Sequence, residues 1–249
     1  TGTYSSSTHA YSGSASLNAT TAGTYTLALT CSGTVSGLAT VKVTGSSKPG
    51  SSTALTVTPS SLSVGQSTTL KATVTGASGT PSGSVTFSAD GAALATVNLN
   101  GSGVASLTAA SNGLPPATYP VIATYSGSSS YNSSASSAVN VTLSKAPTAA
   151  TLTASPTSVT PPASVTLTAT VKRSATGTSG TPTGTVTFST GGSPLATVVL
   201  NSKGVATLTA ASTGYPTGSY PIKAAYDGDS ADSTSTSPAV TVTREVESW

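Results

Sequence analysis

Charge, sulfur and aromatic rings are all scarce in this sequence. Of 249 residues, 6% are charged and 5% are Phe, Trp or Tyr; there is one cysteine, one histidine and no methionine. A single cysteine, Cys31, rules out a disulfide framework within the chain and leaves that thiol unpaired. With His9 as the sole imidazole, a nucleophile–base pair would have to be Cys31 with His9, and no Asn or Asp is placed to orient it. There is no G-x-S-x-G elbow, no phosphate-cradling glycine loop and no zinc spacing. These absences exclude the familiar catalytic constellations, so neither an enzyme nor a cofactor is expected. The nine Lys and Arg residues are scattered, and only Lys172 and Arg173 adjoin. A nucleic-acid partner would call for a basic stripe with stacking aromatics, so none is expected. No run of 18 apolar residues occurs, which argues against insertion in a membrane as a helix.

What the sequence does have is Ser and Thr, roughly two residues in five against an ordinary composition. Val, Gly and Pro are also frequent, a mixture that favours many short strands joined by sharp turns. The order of these residues repeats. "GTPSGSVTFSADG" (Gly79 to Gly91) returns as "GTPTGTVTFSTGG" (Gly180 to Gly192), 101 positions later. "VASLTAAS" and "TYPVIATYSG" return as "VATLTAAS" and "SYPIKAAYDG" at the same offset. Upstream, "TVTPSSLSVGQSTTLKATV" matches "TASPTSVTPPASVTLTATV" at an offset of 97. The difference is a four-residue insertion in "KRSATGTSG" after Val171, which must lie in a loop between strands.

Within each repeat the apolar residues alternate. Leu70, Ala72 and Val74 share one face, as do Val85 and Phe87, then Ala105, Leu107 and Ala109, then Tyr119, Val121, Ala123 and Tyr125, and finally Val139, Val141 and Leu143. Period-two alternation means half-buried antiparallel strands. Asp90-Gly91, Asn100-Gly101 and Asn112-Gly113 mark turns that accept positive φ. Roughly seven short strands in about 95 residues fit an immunoglobulin-like sandwich. The expected core positions are Phe87 and Phe188, Tyr125 and Tyr226, and the strand-start tyrosines Tyr25, Tyr119 and Tyr220.

On these blocks, above all "G-T-V-T-F" and "Y-x-G", the segment from about 53 to 243 resembles the bacterial immunoglobulin-like repeats of large secreted and surface proteins. That resemblance implies tandem all-β, immunoglobulin-like sandwiches arranged as an extended rod. It also implies a non-catalytic role, outside the cell or on its surface in bacteria, as stalk, adhesin arm or filament subunit. Its partners would be flanking modules or further copies of itself, with surface glycans as another class. The alternatives are a module that binds glycan or protein through hairpin loops, and an accessory region of a larger secreted enzyme. Loop or terminal aromatics for binding would be Tyr4, Tyr11, Tyr131, Tyr215 and Trp249.

The first 44 residues align with the closing strands of the repeats. "TYTLALTCSG" (Thr24 to Gly33) sits on "TYPVIATYSG", "ASLNA" on "ASLTA", and "VKVT" on "VNVT". This half also resembles the end of Ig-like or PKD-like modules whose last-but-one strand carries a cysteine. It places Cys31 where Tyr125 and Tyr226 stand. Its missing strands are expected from upstream sequence or, as a second option, from a neighbouring copy. The expected organisation is a half module at 1–44, a linker at 45–52, repeat 1 at 53–143, a linker at 144–150, repeat 2 at 151–243 and a tail at 244–249.

Asp227, Asp229 and Asp232 form the one acidic hairpin loop. Ca²⁺ takes six to eight oxygens, so three carboxylates plus carbonyls make a candidate partial cation site. The alternative is a solvated turn, since repeat 1 carries Ser126, Ser128 and Tyr131 at those places.

Overall fold

A computed structural model describes residues 2–5, 10–13, 23–31, 34–43 and 48–246. They fall into two compact units divided between Lys48 and Pro49. The first contains β1 (Gly2–Ser5), β2 (Ala10–Gly13), β3 (Gly23–Cys31) and β4 (Thr34–Val43). β1 pairs with β2, and β3 pairs antiparallel with β4 so that Tyr25 faces Val41. The expected strand at Ala15–Ala19, His9 and the side chains of Tyr25, Cys31, Tyr4 and Tyr11 lie outside the described part.

The second unit holds both repeats. Repeat 1 comprises β5 (Ser51–Thr58), β6 (Ser61–Ser63), β7 (Ser67–Gly76), β8 (Ser84–Ala89), β9 (Ala92–Asn98), β10 (Val104–Ala110), β11 (Ala117–Tyr125), β12 (Ser134–Ala135) and β13 (Val139–Ser144). Repeat 2 comprises β14 (Thr148–Ser155), β15 (Ser158–Val159), β16 (Ser164–Arg173), β17 (Thr185–Thr190), β18 (Ser193–Val199), β19 (Val205–Ala211), β20 (Gly218–Tyr226), β21 (Ser235–Thr236) and β22 (Val240–Arg244). One sheet of each repeat runs β10-β7-β5 or, in repeat 2, β14-β16-β19. The other runs β6-β13-β11-β8-β9 or β15-β22-β20-β17-β18. In this second sheet the first pair, β6 with β13 or β15 with β22, is parallel and the rest antiparallel. Two facing sheets with this order make the expected all-β sandwich, twice over.

Registers match as well as strand order. Leu107 pairs with Leu70 and Leu208 with Leu167; Tyr119 pairs with Val141 and Tyr220 with Val242. The Tyr25–Val41 pair of the first unit repeats that last register. Alternation sends Leu70, Ala72 and Val74 inward from β7 while Lys71 stays exposed. Phe87, Phe188, Tyr125 and Tyr226 are completely or almost completely buried. Burying each such ring contributes about 1.5–3 kcal/mol, and these four are the largest fully buried side chains of their two cores.

One of the expected turns is built differently. Asp90-Gly91 does turn with positive φ at both residues, 48° and 79°. At Asn100-Gly101, however, the positive φ falls on Gly103, at 72°. Asn100 acts through its side chain, whose Oδ1 accepts the N–H groups of Ser102 and Val104 at 2.9 and 3.0 Å. Repeat 2 builds the same turn from Asn201 and Gly204, with φ of 73°. A Cβ at either glycine would stand 2.6 Å from a strand carbonyl, of Val74 or Val171, so both conformation and space demand glycine.

The stretch expected as a linker at 144–150 is short in the structure. Strand β13 ends at Ser144 and β14 begins at Thr148. Between them Ala146 is fully buried, donates its N–H to Ala231 at 2.8 Å and accepts from Ser233 at 2.9 Å. Backbone polar groups removed from water need partners, and the loop after β20 supplies them. The tail expected from 244 starts inside β22, and Glu245 bonds back to Val159 and Ser158.

Candidate functional site

The junction between the repeats gathers most of the unusual chemistry among the described residues. Arg173 is the last residue of β16, and Asp232 lies in the loop after β20. Arg173 Nε donates to Asp232 Oδ1 at 2.6 Å and Nη2 to Oδ2 at 3.0 Å, a bidentate fork. The two side chains are 9% and 1% exposed. The hydrogen bond donated to Asp232 holds the guanidinium pKa above its ordinary value, against the opposing effect of burial. The remaining Nη1 donates to the Ser179 carbonyl and reaches the Val64 carbonyl of repeat 1 at 3.5 Å. Arg173 therefore ties the inserted loop, the loop after β20 and the neighbouring repeat together.

The inserted loop continues the contact. Ser179 N–H donates to the Gly65 carbonyl at 3.0 Å, and its Oγ reaches the same carbonyl at 3.2 Å and Asn112 Oδ1 at 2.8 Å. Gln66 Nε2 donates to the Thr176 carbonyl at 2.8 Å. Gly65 is held from behind by Ser111, whose Oγ accepts its N–H at 3.0 Å and donates to the Gln66 carbonyl at 2.7 Å. Lys145 Nζ donates to the Asp229 carbonyl at 2.5 Å. A cleft beside these contacts is lined by Val64, Leu114, Arg173, Ser179, Asp229 and Asp232, among others.

The three aspartates expected as a cation site are engaged separately. Asp232 is bound by Arg173. Asp229 Oδ2 accepts Thr183 N–H at 3.1 Å and Thr183 Oγ1 at 2.5 Å, and its Oδ1 accepts Ala231 and Asp232 N–H at 2.7 and 2.6 Å. Burial would raise its pKa, but bonds from the Thr183 hydroxyl and from backbone N–H groups outweigh that and hold it below the usual carboxylate value. Asp227 Oδ2 accepts from Thr185 Oγ1 at 2.7 Å. The carboxylates are thus structural acceptors; a cation would have to displace Arg173 to reach Asp232. Among the described residues no group of three His, Cys, Asp or Glu is placed to hold a metal ion.

The tyrosines divide by environment. Tyr119 and Tyr220 each donate to a proline carbonyl four residues upstream, Pro115 at 2.8 Å and Pro216 at 2.6 Å, closing a corner. Tyr125 donates to Ser82 at 2.6 Å. Tyr226, its counterpart, has a buried hydroxyl with no hydrogen-bond partner. Burial, with Asp229 and Asp232 nearby, pushes its pKa well above the ordinary phenol. Of the loop aromatics, Tyr131 is buried at 5% exposure against Gly76 and is closed to a ligand. Tyr215 is 40% exposed and meets Tyr220 edge to face at 5.5 Å, beside an apolar cleft lined by Val159, Leu195 and Ile222. Trp249 lies outside the described residues.

Arg173 is not recognisable as a site residue from its local sequence, because its partner is 59 residues away. A signal is present: Arg173 stands where repeat 1 has Gly76, Asp232 where it has Tyr131, and the insertion begins two residues after Arg173, at Ala175.

The family model of the bacterial Ig-like domain (group 3) matches residues 55–144 and 152–244. No curated protein matches the chain. Among solved structures, invasin, titled a bacterial integrin-binding protein, is similar at 19% identity and a TM-score of 0.50. That similarity covers 78% of this chain and 39% of invasin's. FdeC, an Escherichia coli adhesin, is 20% identical with a TM-score of 0.33, over 91% of this chain and 75% of its own. The Yersinia pseudotuberculosis adhesin InvE is 18% identical with a TM-score of 0.39, over 78% and 59%. This chain spans 39% of invasin and 59% of InvE, less than two thirds of each. At such identities the invasin likeness bears on fold alone. No helix among the described residues is long and apolar enough to cross a membrane.

Proposed function

Since the chain belongs to the bacterial Ig-like domains of group 3, we propose that it is a non-catalytic structural segment of an extracellular or cell-surface protein. In that role it acts as a stalk or adhesin arm that carries other parts away from their anchorage. The observation that carries this reading is the junction. Two complete sandwiches meet through a buried connecting residue and hydrogen bonds between Arg173, Ser179 and Thr176 of repeat 2 and Val64, Gly65, Gln66 and Asn112 of repeat 1, with Arg173 held in place by its buried ion pair to Asp232, rather than through a slack tether. A spacer needs such joints, because orientation is lost wherever a connection is free. The carboxylates of the loop after β20 fit the same role, since Asp229 and Asp227 spend their oxygens on Thr183, Thr185 and backbone N–H groups that hold the loop in shape.

Pulling the chain end to end in a force spectrometer tests this. Two equal steps are expected, one per repeat, each lengthening the chain by roughly 30 nm at about 3.3–3.6 Å per residue. Antibody to these repeats should label intact producing cells. Label confined to lysed cells, or turnover of a defined substrate abolished by one point mutation, would overturn the reading. A second reading, recognition of a glycan or protein, rests on the exposed Tyr215 beside its apolar cleft. Binding to a glycan array that is lost in Tyr215→Ala would favour it.

A further inference from the structure

We propose that the junction is a keyed joint, in which the end of repeat 2 recognises the Val64–Gln66 turn of repeat 1 and cannot dock in the same way on the corresponding end of repeat 2. The partner is therefore a preceding module with a glycine turn of this form, and the order of the repeats is set by side-chain chemistry. This deepens the spacer reading above, but its test needs nothing from where the protein resides.

The socket is Gly65. It holds φ at +90°, and a Cβ built there would run into the Ser179 carbonyl and stand 2.5 Å from Arg173 Nη1. Any side chain would push out both halves of the key. Around it, Val64 and Gly65 offer carbonyls to Arg173 and Ser179, Gln66 donates to Thr176, and Asn112 takes the Ser179 hydroxyl. Each socket residue changes at the far end of repeat 2. The repeat alignment puts Pro161 for Val64, Pro162 for Gly65, Ala163 for Gln66 and Thr213 for Asn112. Proline brings the bulk that Gly65 excludes, and alanine lacks the amide that bonds Thr176. So repeat 2 carries no copy of the socket it uses.

The key is equally one-sided. Repeat 1 has Gly76 in place of Arg173, and it lacks the four inserted residues that carry Thr176 and Ser179 across. The space an arginine would need is filled by the Tyr131 ring, which lies against Gly76 and donates its hydroxyl to the Gly79 carbonyl at 3.2 Å. Key and socket thus each occur once in the described repeats, and they face each other. This chain should neither polymerise through this joint nor accept a second copy at it.

Backbone amide relaxation by NMR on the full chain reads the joint directly. In the wild type the two repeats are expected to share one rotational correlation time. Two variants address the two sides. Gly65→Pro places the residue of repeat 2 in the socket, and deletion of Ala175–Thr178 cuts the key to the length found in repeat 1 while retaining the Arg173–Asp232 pair. Each is expected to split the correlation times by at least about 1.5-fold while the core amide resonances of both repeats stay dispersed. Gly65→Ser, a milder substitution, should give a partial split if Gly65→Pro disturbs the turn itself. Independent tumbling in the wild type would overturn the proposal, as would a single shared correlation time in both Gly65→Pro and the deletion. Failure of the spacer reading would show instead in cell labelling, with this relaxation result unchanged.

Discussion

The same corner of the sandwich is closed by an aromatic plug in repeat 1 and by an ion pair in repeat 2. Tyr131 rests on Gly76 and bonds Gly79; Arg173 grips Asp232 and bonds Ser179. Both arrangements join the end of the third strand of the repeat to the loop after the seventh. Only the charged version has donors left to reach another module. The comparison shows how one fold keeps its core and changes its end chemistry: a ring satisfies itself within its own repeat, whereas a guanidinium with five donors satisfies several partners at once.

The largest effects should come from what the two repeats share. Phe87→Ala and Phe188→Ala each delete a fully buried ring and should cost about 3–5 kcal/mol in the repeat concerned. Urea unfolding followed separately in each repeat checks whether the two costs agree, as the common register requires. A large disparity would break the equivalence of the cores.

Next comes the feature that sets the repeats apart. Arg173→Ala leaves Asp232 buried without its partner and should destabilise repeat 2 by about 3–5 kcal/mol. Repeat 1, with Gly76 at that position, already folds without an arginine there. Double replacement of Arg173 and Asp232 by uncharged residues should recover part of the loss, since no lone charge then remains. Denaturation midpoints of single and double variants measure this; equal midpoints would show the pair to be inert.

A smaller contrast lies in the paired tyrosines. Tyr125→Phe removes a bond to Ser82 and should cost about 1 kcal/mol, whereas Tyr226→Phe removes a hydroxyl with no partner and should be neutral or slightly stabilising. Opposite signs in thermal unfolding of the two variants would sharpen the comparison, and equal losses would remove it.

The smallest effect is on pH. Asp229 is held below its unfolded pKa, so its contribution is present above about pH 4 and fades as pH falls through the folded value. Tyr226 is raised, so its contribution is complete below about pH 10 and is lost as pH rises further. Repeat 2 should therefore weaken at both extremes, and Asp229→Ser, which installs the residue of repeat 1, should flatten the acid limb. Melting temperatures of the wild type and this variant from pH 2 to 11 are the check.

Much of this was legible in the order of residues. The duplicated phrase, the 97 and 101 offsets and the inward runs at Leu70–Val74 and Tyr119–Tyr125 are local patterns, and local patterns fix strands, faces and their equivalence. Asn100 was legible as a turn residue but not in its mechanism, because whether a glycine or an amide carries the turn depends on the ladder it meets. The acidic loop was legible only as charge. Whether Asp232 faces water, a cation or Arg173 depends on a residue 59 positions earlier, brought alongside by β16 and the loop after β20.

The sequence by itself determined two sandwiches of one design, since alternation and turn chemistry act over a few residues and suffice to place each strand. Only the tertiary structure decided what joins them. Val64, Gly65, Arg173, Ser179 and Asp232 come from four separate segments, and carbonyls, a guanidinium and a carboxylate gain directional bonds only when folding sets them within about 3 Å of one another and excludes water.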